Sequence, residues 1–331
     1  MTAYEKLQRA LKRRPRQWLV TGAAGFIGSH LVETLLRLNQ RVVGLDNFAT
    51  GHNTNLDDVQ ANVTAAQRRA FRFIEGDITN AKDCARACRG AEFVLHQAAL
   101  GSVPRSFADP LGTHAPNTTG FLNVLQAARK AKARRVVYAS SSSVYGDAKG
   151  SPKIEAVTGT LLSPYAVSKM VNEMYAQVFG SGYGQELVGL RYFNVFGPRQ
   201  DPKGAYAAVV PRWTQELLRG KPSEIYGDGK TSRDFCYVAN VVQANLLAAT
   251  AKAASGKVYN VAVGTRTTLN ELHRQLRKLT GSKANPVHHE FRAGDVRHSL
   301  ASIRAARRDL GYAPTHTLEQ GLALTVPWFG K

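Results

Sequence analysis

The stretch Trp18-Leu-Val-Thr-Gly22-Ala-Ala-Gly25-Phe-Ile-Gly28 runs from a short apolar segment into three regularly spaced glycines. An apolar pattern with helical spacing, through Leu31, Leu35 and Leu36, follows at once. Glycines at such a turn let the backbone approach a pyrophosphate, whose charge the N–H groups and the dipole of the helix start can meet. The stretch therefore predicts a strand, a phosphate-binding turn and a helix.

Further apolar runs, separated by segments of helix length, follow this first strand. Strands are expected at Gln17–Thr21, Arg41–Asp46, Phe71–Glu75, Glu92–His96, Arg135–Ser140 and Leu187–Tyr192. Several of these runs are apolar nearly throughout, which is typical of a parallel sheet covered by helices on both faces. The pattern predicts an α/β fold built on a doubly wound parallel sheet.

The pattern becomes irregular after about Gly197, with Gly- and Pro-containing loops and isolated helices expected at Val209–Leu218 and Leu269–Leu279. This change predicts a smaller C-terminal substrate domain that closes over the carboxyl edge of the sheet. The expected division gives residues 1–193 to a dinucleotide-binding domain, to which 236–264 return. Residues 194–235 and 265–331 then form the substrate domain.

Asp46 ends the second expected strand, where the ribose of a dinucleotide should lie. A carboxylate there can accept hydrogen bonds from a ribose 2′-hydroxyl and would repel a 2′-phosphate, so NAD is favoured over NADP. The third and fourth strands end at Gly76-Asp77-Ile78 and His96-Gln97-Ala98-Ala99, also at the crevice. Asp77 could meet the adenine, and the two alanines allow close approach of the cofactor.

Ser163-Pro-Tyr-Ala-Val-Ser-Lys169 places a tyrosine and a lysine four residues apart, on one helix face. An ammonium in that position can stabilise a phenolate and lower a pKa that is ordinarily about 10. Ser163 and Pro164 are typical of an N-cap and a first helical residue, so the helix dipole also favours the phenolate. Tyr165 is thus predicted to act as a base near neutral pH.

Ser140-Ser-Ser-Ser-Val-Tyr-Gly146 ends the fifth expected strand and brings hydroxyl groups to the same crevice. One of these hydroxyls can hydrogen-bond a sugar oxygen beside Tyr165. The run of four serines leaves the choice between neighbours open.

The formal net charge of +20 is the one unusual feature of the composition. Such a charge suits nucleic acid, an anionic membrane surface or an anionic small substrate. The basic residues are spread along the chain in short groups such as Lys12-Arg13-Arg14, without a long tract or basic-aromatic interleaving. We therefore expect a solvated basic surface with a few phosphate ligands, and neither a nucleic-acid nor a membrane partner.

No apolar run is long enough for a membrane span, and the basic, amphipathic first twenty residues lack an apolar signal core. Cys84, Cys88 and Cys236 are too few for a disulfide framework and lack the paired spacing of metal ligands. A cytoplasmic protein without a metal is expected, with Cys84 and Cys88 on one helix face.

The glycine turn, the serine strand, Tyr165 with Lys169, and Arg191-Tyr-Phe-Asn-Val-Phe-Gly197 resemble the extended short-chain dehydrogenases/reductases, over nearly the whole chain. Four further segments resemble bacterial UDP-N-acetylglucosamine 4-epimerases of surface-polysaccharide synthesis. They are Gly44-Leu-Asp-Asn-Phe-Ala-Thr-Gly51, Ala98-Ala-Leu-Gly-Ser-Val-Pro-Arg-Ser106, Thr231-Ser-Arg-Asp-Phe235 and Gly294-Asp-Val-Arg-His-Ser299. The resemblance implies a Rossmann domain with tightly bound NAD.

The activity implied by the resemblance is reversible inversion at C4 of a UDP-hexose, through a transient 4-keto sugar. Tyr165 would take the 4-hydroxyl proton while C4 passes a hydride to NAD, which is regenerated in each cycle. Lys169 would bond the nicotinamide ribose, and Ser141, together with Ser142, would orient the 4-oxygen. UDP-N-acetylglucosamine and UDP-N-acetylgalactosamine are the expected pair, with UDP-glucose and UDP-galactose as further substrates.

The resemblance also assigns residues to each ligand. The implied cofactor residues are Gly22, Gly25, Phe26, Ile27, Gly28, Asp46, Asn47, Gly51, Asp77, Ile78, Gln97, Ala98, Ala99, Tyr165, Lys169 and Tyr192. The implied substrate residues are Ser102, Arg105, Ser141, Ser142, Tyr165, Asn194, Arg233, Arg292, Asp295 and Ser299. Arginine suits a diphosphate through its fork of donors. A serine at 299, where epimerases restricted to non-acetylated sugars carry tyrosine, leaves room for an N-acetyl group.

A homodimer is likewise implied, through helices over 116–133 and 164–179. The main enzyme alternative is a 4-epimerase of the N-acetylated uronate, because Arg105 or another cation could accept the extra charge. A dehydratase needs a carboxylate pair where this chain has Ser142 and Ser143. From a different class, a non-catalytic dinucleotide sensor or a nucleic-acid binder could reuse the same fold.

Overall fold

The structure is a computed structural model that describes residues 1–203, 207–291 and 297–330. Its strands are β1 (Gln17–Thr21), β2 (Arg41–Asp46), β3 (Phe71–Glu75), β4 (Phe93–His96), β5 (Arg135–Ser141), β6 (Glu186–Tyr192), β7 (Val195–Phe196), β8 (Glu224–Tyr226), β9 (Ser232–Arg233), β10 (Cys236–Tyr237), β11 (Lys257–Val261), β12 (Thr267–Thr268) and β13 (Val287–His289). Seven of them form one sheet in the order β11-β6-β5-β4-β1-β2-β3. Each neighbouring pair in this sheet is parallel.

The doubly wound sheet expected from the sequence is confirmed. Three of the six expected strands have the bounds that we predicted, and the other three differ by one residue at one end. Strand β1 is covered on both faces of the sheet, because its consecutive residues Trp18, Leu19 and Val20 are all fully buried. The sheet also gains β11, which lies in the segment 236–264 that we expected to return to it.

Helices cover both faces of the sheet. They are α1 (Ala3–Arg13), α2 (Phe26–Arg37), α3 (Asn53–Ala61), α4 (Ala65–Arg69), α5 (Ala81–Cys88), α6 (Val103–Ala108), α7 (Pro110–His114), α8 (Phe121–Lys130), α9 (Pro164–Tyr183), α10 (Val209–Leu218), α11 (Val238–Thr250), α12 (Leu269–Thr280), α13 (Arg304–Leu310) and α14 (Leu318–Phe329). None of the helices in the described part of the chain is long and apolar enough to cross a membrane.

The helix expected over 116–133 has a different beginning. Residues Ala115–Gly120 form a π-helical turn, and the regular helix α8 starts only at Phe121. π-helical turns occur often at functional sites, and here Ala115 and Pro116 line a large cavity at the carboxyl edge of the sheet.

A separate apolar core lies beyond the sheet. It joins α10, α12 and α14 through buried side chains that include Trp213, Leu272, Leu276 and Leu322. This second core supports the expected substrate domain. The domain boundaries stay a prediction.

The N-terminal helix α1 packs against α11. A capping box at Thr2 and Glu5 starts the helix, and Leu11 is buried in the core, with Tyr4 and Leu7 packed against it. Gln40 Nε2 donates to the Leu11 carbonyl oxygen at 2.8 Å. The apolar face of α1 is therefore packed against the core of the protein.

Candidate active site

A cavity of about 690 Å³ opens at the carboxyl ends of the central strands. In a doubly wound sheet this edge is the usual ligand crevice. Most of the expected cofactor residues line it, together with several expected at the sugar. Those that line it are Gly22, Gly25, Phe26, Ile27, Gly28, Asp46, Asn47, Asp77, Ile78, Gln97, Ala98, Ala99, Ser141, Tyr165, Lys169, Tyr192 and Asn194.

The glycine turn has the close backbone packing that a phosphate-binding turn needs. Gly22 has φ +69°, and a Cβ there would lie 2.8 Å from the Ala98 backbone nitrogen. A Cβ on Gly28 would lie 1.9 Å from the Gly22 carbonyl oxygen. Helix α2 begins after the N-cap Gly25, which makes no side-chain capping bond. Its first N–H groups therefore face the cavity without a side-chain acceptor, as binding of a pyrophosphate requires.

Asp46 is held by the turn itself. Its carboxylate accepts hydrogen bonds from the backbone N–H groups of Ala24 at 2.9 Å and Phe48 at 2.8 Å. Burial raises the pKa of Asp46, although these backbone bonds oppose the shift. The carboxylate is thus fixed in orientation at the cavity wall, where it can accept from the ribose of a dinucleotide.

Asp77 lies beside Asp46 at the end of the neighbouring strand. Asn47 Nδ2 donates to its Oδ2 at 2.8 Å. Burial acts against ionisation of Asp77, but hydrogen bonds from Thr79 and Asn47 hold its pKa below the ordinary value. Asp77 can therefore serve as an acceptor for an adenine amino group.

Tyr165 stands in the first turn of α9, at the cavity wall. The N-cap Ser163 accepts a hydrogen bond from the Ala166 N–H at 3.1 Å, which fixes the start of the helix. The Tyr165 hydroxyl is hydrogen-bonded to the Ser141 side chain. These two hydroxyls, on α9 and β5, can hold one substrate oxygen between them.

The structure corrects our expectation for the pKa of Tyr165. Burial raises this pKa above its ordinary value, and the Ser141 hydrogen bond lowers it by less. The Lys169 ammonium lies 5.9 Å from the Tyr165 ring centroid and donates to the Ala139 carbonyl oxygen at 2.9 Å. The protein alone therefore holds Tyr165 as a phenol at neutral pH, so its deprotonation depends on what binds in the cavity.

Lys169 is only 3% exposed, and burial lowers its pKa to about 8. Among the described residues it is the sole cation in the cavity wall. Its ammonium has further donors beyond the one bound to Ala139, so it can reach a ribose hydroxyl of a bound dinucleotide.

The four consecutive serines have distinct environments. Ser140 also lines the cavity, but its hydroxyl donates to Glu173 Oε1 at 2.5 Å. Ser141 lines the cavity, whereas Ser142 begins a 3₁₀ turn and is not part of the described wall. The Ser143 hydroxyl is buried without a hydrogen-bond partner. Ser141 is consequently the serine with the geometry to act beside Tyr165.

The family model described as the NAD dependent epimerase/dehydratase family matches residues 18–262. The chain belongs to this family. A UDP-glucose 4-epimerase of Mycolicibacterium smegmatis is 38% identical over 313 residues, covering 94% of this chain and 97% of that protein. The match confirms the expected family and NAD as its cofactor.

Two solved structures are similar to this family member over 95% of its length. One is a UDP-glucose 4-epimerase from Thermotoga maritima with UDP-glucose, at 37% identity and a TM-score of 0.88. The other is a UDP-N-acetylglucosamine 4-epimerase from Methanobrevibacter ruminantium M1 in complex with UDP-N-acetylmuramic acid, at 36% identity and a TM-score of 0.88. Each is covered over 98% of its own chain.

Several expected residues lie outside the described wall of the cavity. Ser102 caps α6, where its hydroxyl accepts from the Arg105 N–H at 3.2 Å. Gly51 packs closely against Ala24, so that a Cβ on Gly51 would lie 2.9 Å from Ala24. Arg233 Nη1 donates to the Ser232 carbonyl oxygen at 3.0 Å, and Ser299 donates its N–H to the same residue's oxygen at 3.0 Å. Arg292 and Asp295 lie outside the described residues.

Asn194 is an expected substrate residue that reaches the cavity wall, as Ser141 and Tyr165 do. It follows β6, has φ +32°, and its Nδ2 donates to the Asp234 carbonyl oxygen at 3.1 Å. This bond ties the cavity wall to the segment that carries Arg233.

The sequence did not point to Asn245, which positions two residues of the cavity wall, Tyr192 and Gln97, through hydrogen bonds. Asn245 Nδ2 donates to the Tyr192 hydroxyl at 2.8 Å, and that hydroxyl donates to Gln97 Oε1 at 3.0 Å. Gln97 Nε2 donates to Asn245 Oδ1 at 3.1 Å, which closes the triangle. The available signal was the set of three amides, Asn240, Gln243 and Asn245, within a mostly apolar run of helix length.

Replacing Gly28 by alanine is expected to abolish retention of NAD. The added Cβ meets backbone rather than a flexible side chain, so the turn must open, at a cost of about 1–3 kcal/mol or more. The measurement is the amount of NAD released from purified protein by heat. Gly182→Ala is the matched control, since a Cβ there meets nothing within 4 Å. Equal NAD content in the two variants would contradict a pyrophosphate site at this turn.

Proposed function

We propose UDP-N-acetylglucosamine and UDP-N-acetylgalactosamine as the pair that this NAD-dependent UDP-sugar 4-epimerase interconverts. UDP-glucose and UDP-galactose are proposed as a second pair. The observation that carries the proposal is the position of Tyr165 beside Ser141 at the wall of a dinucleotide-sized cavity. A sugar 4-oxygen beside a bound nicotinamide could contact both hydroxyls.

In the proposed mechanism, Ser141 orients the 4-oxygen and Tyr165 Oη takes the proton of the 4-hydroxyl. When bound, NAD would supply both the acceptor for the C4 hydride and the hydride for reduction of the 4-keto sugar, so the cycle would have no net redox change. Tyr165 then returns its proton to the 4-oxygen. The Lys169 ammonium is bonded to the Ala139 carbonyl oxygen of β5. From there its charge favours the deprotonated tyrosine during the cycle.

The nucleotide end of the substrate is proposed to lie beyond Asn194. Arg233 and Arg292 are proposed ligands of the diphosphate, Asp295 of the uridine ribose, and Ser102 and Arg105 of the sugar. Ser299 is proposed to leave the volume that an N-acetyl group at C2 needs. The serine's small side chain supports this role, because exclusion of the acetyl group would be a steric effect.

Neutral sugars are proposed over the uronate alternative. Among the described residues Lys169 is the only cation of the wall, and it already bonds the Ala139 carbonyl oxygen. A carboxylate at C6 would therefore depend on a cation outside this wall, such as Arg105, as the partner for its charge.

Purified protein without added NAD should convert UDP-N-acetylglucosamine to its C4 epimer, with slower conversion of UDP-glucose. The measurement is NMR of the C4 epimers, with the N-acetylated uronate in parallel. Turnover of the uronate alone would replace the proposed substrate. Failure of all three, even with NAD supplied, would overturn the epimerase mechanism and favour a dinucleotide sensor.

A homodimer is proposed through an exposed apolar surface on α6, α7 and α9. Phe107 is 63% exposed and Leu111 81%. Val167, Met174 and Val178 lie on one face of α9 and are 46% to 60% exposed. Large apolar residues grouped in this way are typical of an interface between copies.

Changing Leu111 and Met174 together to glutamate should convert the dimer to a monomer. A charge buried at an interface without a partner costs several kcal/mol, enough to weaken association by orders of magnitude. Light scattering after gel filtration measures the mass, and Leu324→Glu, at a 51% exposed position on α14, is the control. A monomeric parent protein, or a double variant that stays dimeric, would contradict the proposed surface.

We further propose a cytoplasmic location.

A further inference from the structure

The fold collects at one edge of the sheet the basic groups that are scattered along the sequence. All seven strands are parallel, so their first residues share one edge, opposite the cavity. At this edge, five connections from a helix to β1, β2, β3, β4 or β5 carry exposed cations. We name this surface the basic edge, formed by Lys12, Arg13, Arg14, Arg16, Arg41, Arg68, Arg69, Arg72, Arg89, Arg129, Lys130, Lys132 and Arg134.

Hydrogen bonds join the five connections into one surface. Gln40, before β2, donates to the Leu11 carbonyl oxygen at the end of α1. Gln67, at the end of α4, donates to Asn39 Oδ1 at 3.0 Å. Arg16, before β1, contacts Glu92, before β4, at 2.5 Å. The Arg134 N–H, before β5, donates to the Glu92 carbonyl oxygen at 2.8 Å. Since the strands of the sheet lie about 4.8 Å apart, the five strand starts span about 19 Å.

Negative charge is nearly absent from these connections. Glu92 is the one carboxylate between Arg89 and Phe93, and it is shared by Arg16 at 2.5 Å and Arg134 at 3.9 Å. Within residues 1–203, all of which are described, Arg13, Arg14 and Arg68 have no carboxylate within ion-pair distance. Basic residues at helix ends complement helix dipoles, but one or two per helix would suffice for that.

We propose that the basic edge binds the surface of an anionic lipid bilayer. Arginine forks match lipid phosphates, and clustered cations add their attraction over a broad anionic surface. The proposal reverses our expectation of no membrane partner, which was based on spacing along the chain rather than in space. It concerns peripheral attachment and does not depend on the sugar substrate.

The shape of the basic edge favours a bilayer over nucleic acid. Its connections span only one to four residues between helix and strand, so no described helix or hairpin projects from it into a groove. Tyr183, at the end of α9, is the exposed aromatic residue at its margin, with the Arg129 guanidinium 4.7 Å from the ring centroid. A tyrosine beside a cation suits the headgroup layer.

Attachment at this edge leaves the cavity open. A strand of five residues is about 17 Å long, so the sheet separates the bilayer from the carboxyl edge where the cofactor binds. The apolar face of α1 is buried in the protein, so we expect electrostatic, reversible binding without insertion.

Co-sedimentation with vesicles tests the proposal. The full-length protein should bind vesicles of phosphatidylcholine with about one third phosphatidylglycerol at about 0.1 M salt, and release at about 0.5 M. It should not bind pure phosphatidylcholine. The variant R13Q/R14Q/R68Q/R69Q should lose binding at least about tenfold. The matched control, R219Q/K221Q/K278Q/K283Q, removes four exposed cations elsewhere and should stay within about twofold of the parent protein.

Both variants should keep the thermal midpoint and NAD content of the parent protein, because neither touches the cavity. Absence of binding to anionic vesicles would overturn the proposal. Equal loss in the two variants would assign the attraction to diffuse net charge. Tighter binding to duplex DNA than to vesicles, at equal phosphate concentration and salt, would assign the basic edge to nucleic acid instead.

Discussion

Replacing Tyr165 by phenylalanine should lower the rate of C4 epimerisation by about a hundred- to ten-thousandfold, the usual contribution of a positioned acid or base. The ring that packs at the cavity wall is kept, and only the hydroxyl bonded to Ser141 is lost. Retention of NAD and the thermal midpoint should therefore remain close to those of the parent protein. Initial rates, followed by NMR of the two epimers, measure the effect.

Tyr175→Phe is the matched control for this experiment. Tyr175 lies on the same helix but packs against the apolar core that includes Tyr138 and Phe179. The Tyr175→Phe variant should therefore catalyse epimerisation at nearly the parent rate. Because burial raises the pKa of Tyr165, the parent rate should also increase with pH as this tyrosine becomes deprotonated, until Lys169, whose pKa burial lowers to about 8, loses the charge that favours the phenolate. A Tyr165→Phe variant that keeps both rate and pH profile would assign the base to another residue.

The sequence predicted the sheet well because its strands are short apolar runs with clear ends. Gln17–Thr21, Arg41–Asp46 and Phe71–Glu75 are each closed by a polar or glycine-rich segment, which marks the boundary locally. The glycine turn was equally local, since three glycines between a strand and a helix restrict the backbone to few arrangements. Such features depend on neighbours in the chain.

Properties that depend on neighbours in space were harder to predict. The direction of the Tyr165 pKa shift is set by burial from several elements, and spacing to Lys169 gave no measure of that burial. Along β5, the adjacent residues Ser140 and Ser141 meet different partners on the same helix α9, Glu173 and Tyr165. The sequence did not show which serine meets which partner.

The charge distribution is a further case of the same limit. Arg14 and Arg68 are far apart in the chain, yet each lies at the end of a helix that leads into a strand, and the two strands, β1 and β3, are separated in the sheet only by β2. Parallel topology turns such repeated positions into one surface. Linear spacing of basic residues therefore underestimates clustering in any doubly wound fold.

Glu173 and Arg191 form a buried ion pair behind the proposed catalytic groups. Arg191 Nε and Nη2 donate to the two carboxylate oxygens of Glu173 at 2.9 and 2.7 Å, and both side chains are less than 10% exposed. Ser140 donates to the same carboxylate. The pair thus ties α9, which carries Tyr165, to the ends of β5 and β6.

Changing Glu173 to glutamine should destabilise the protein by about 3–5 kcal/mol, because Arg191 is left as a buried charge without its partner. Chemical denaturation measures the free energy of unfolding. Glu92→Gln is the matched control, since its pair with Arg16 is 24% to 29% exposed and should contribute about 1 kcal/mol or less. The catalytic rate of Glu173→Gln should also fall, because Ser141 follows Ser140 directly and loses its fixed position against Tyr165. Equal destabilisation by the two substitutions would contradict this account, and an unchanged rate would show that Ser141 is held by β5 alone.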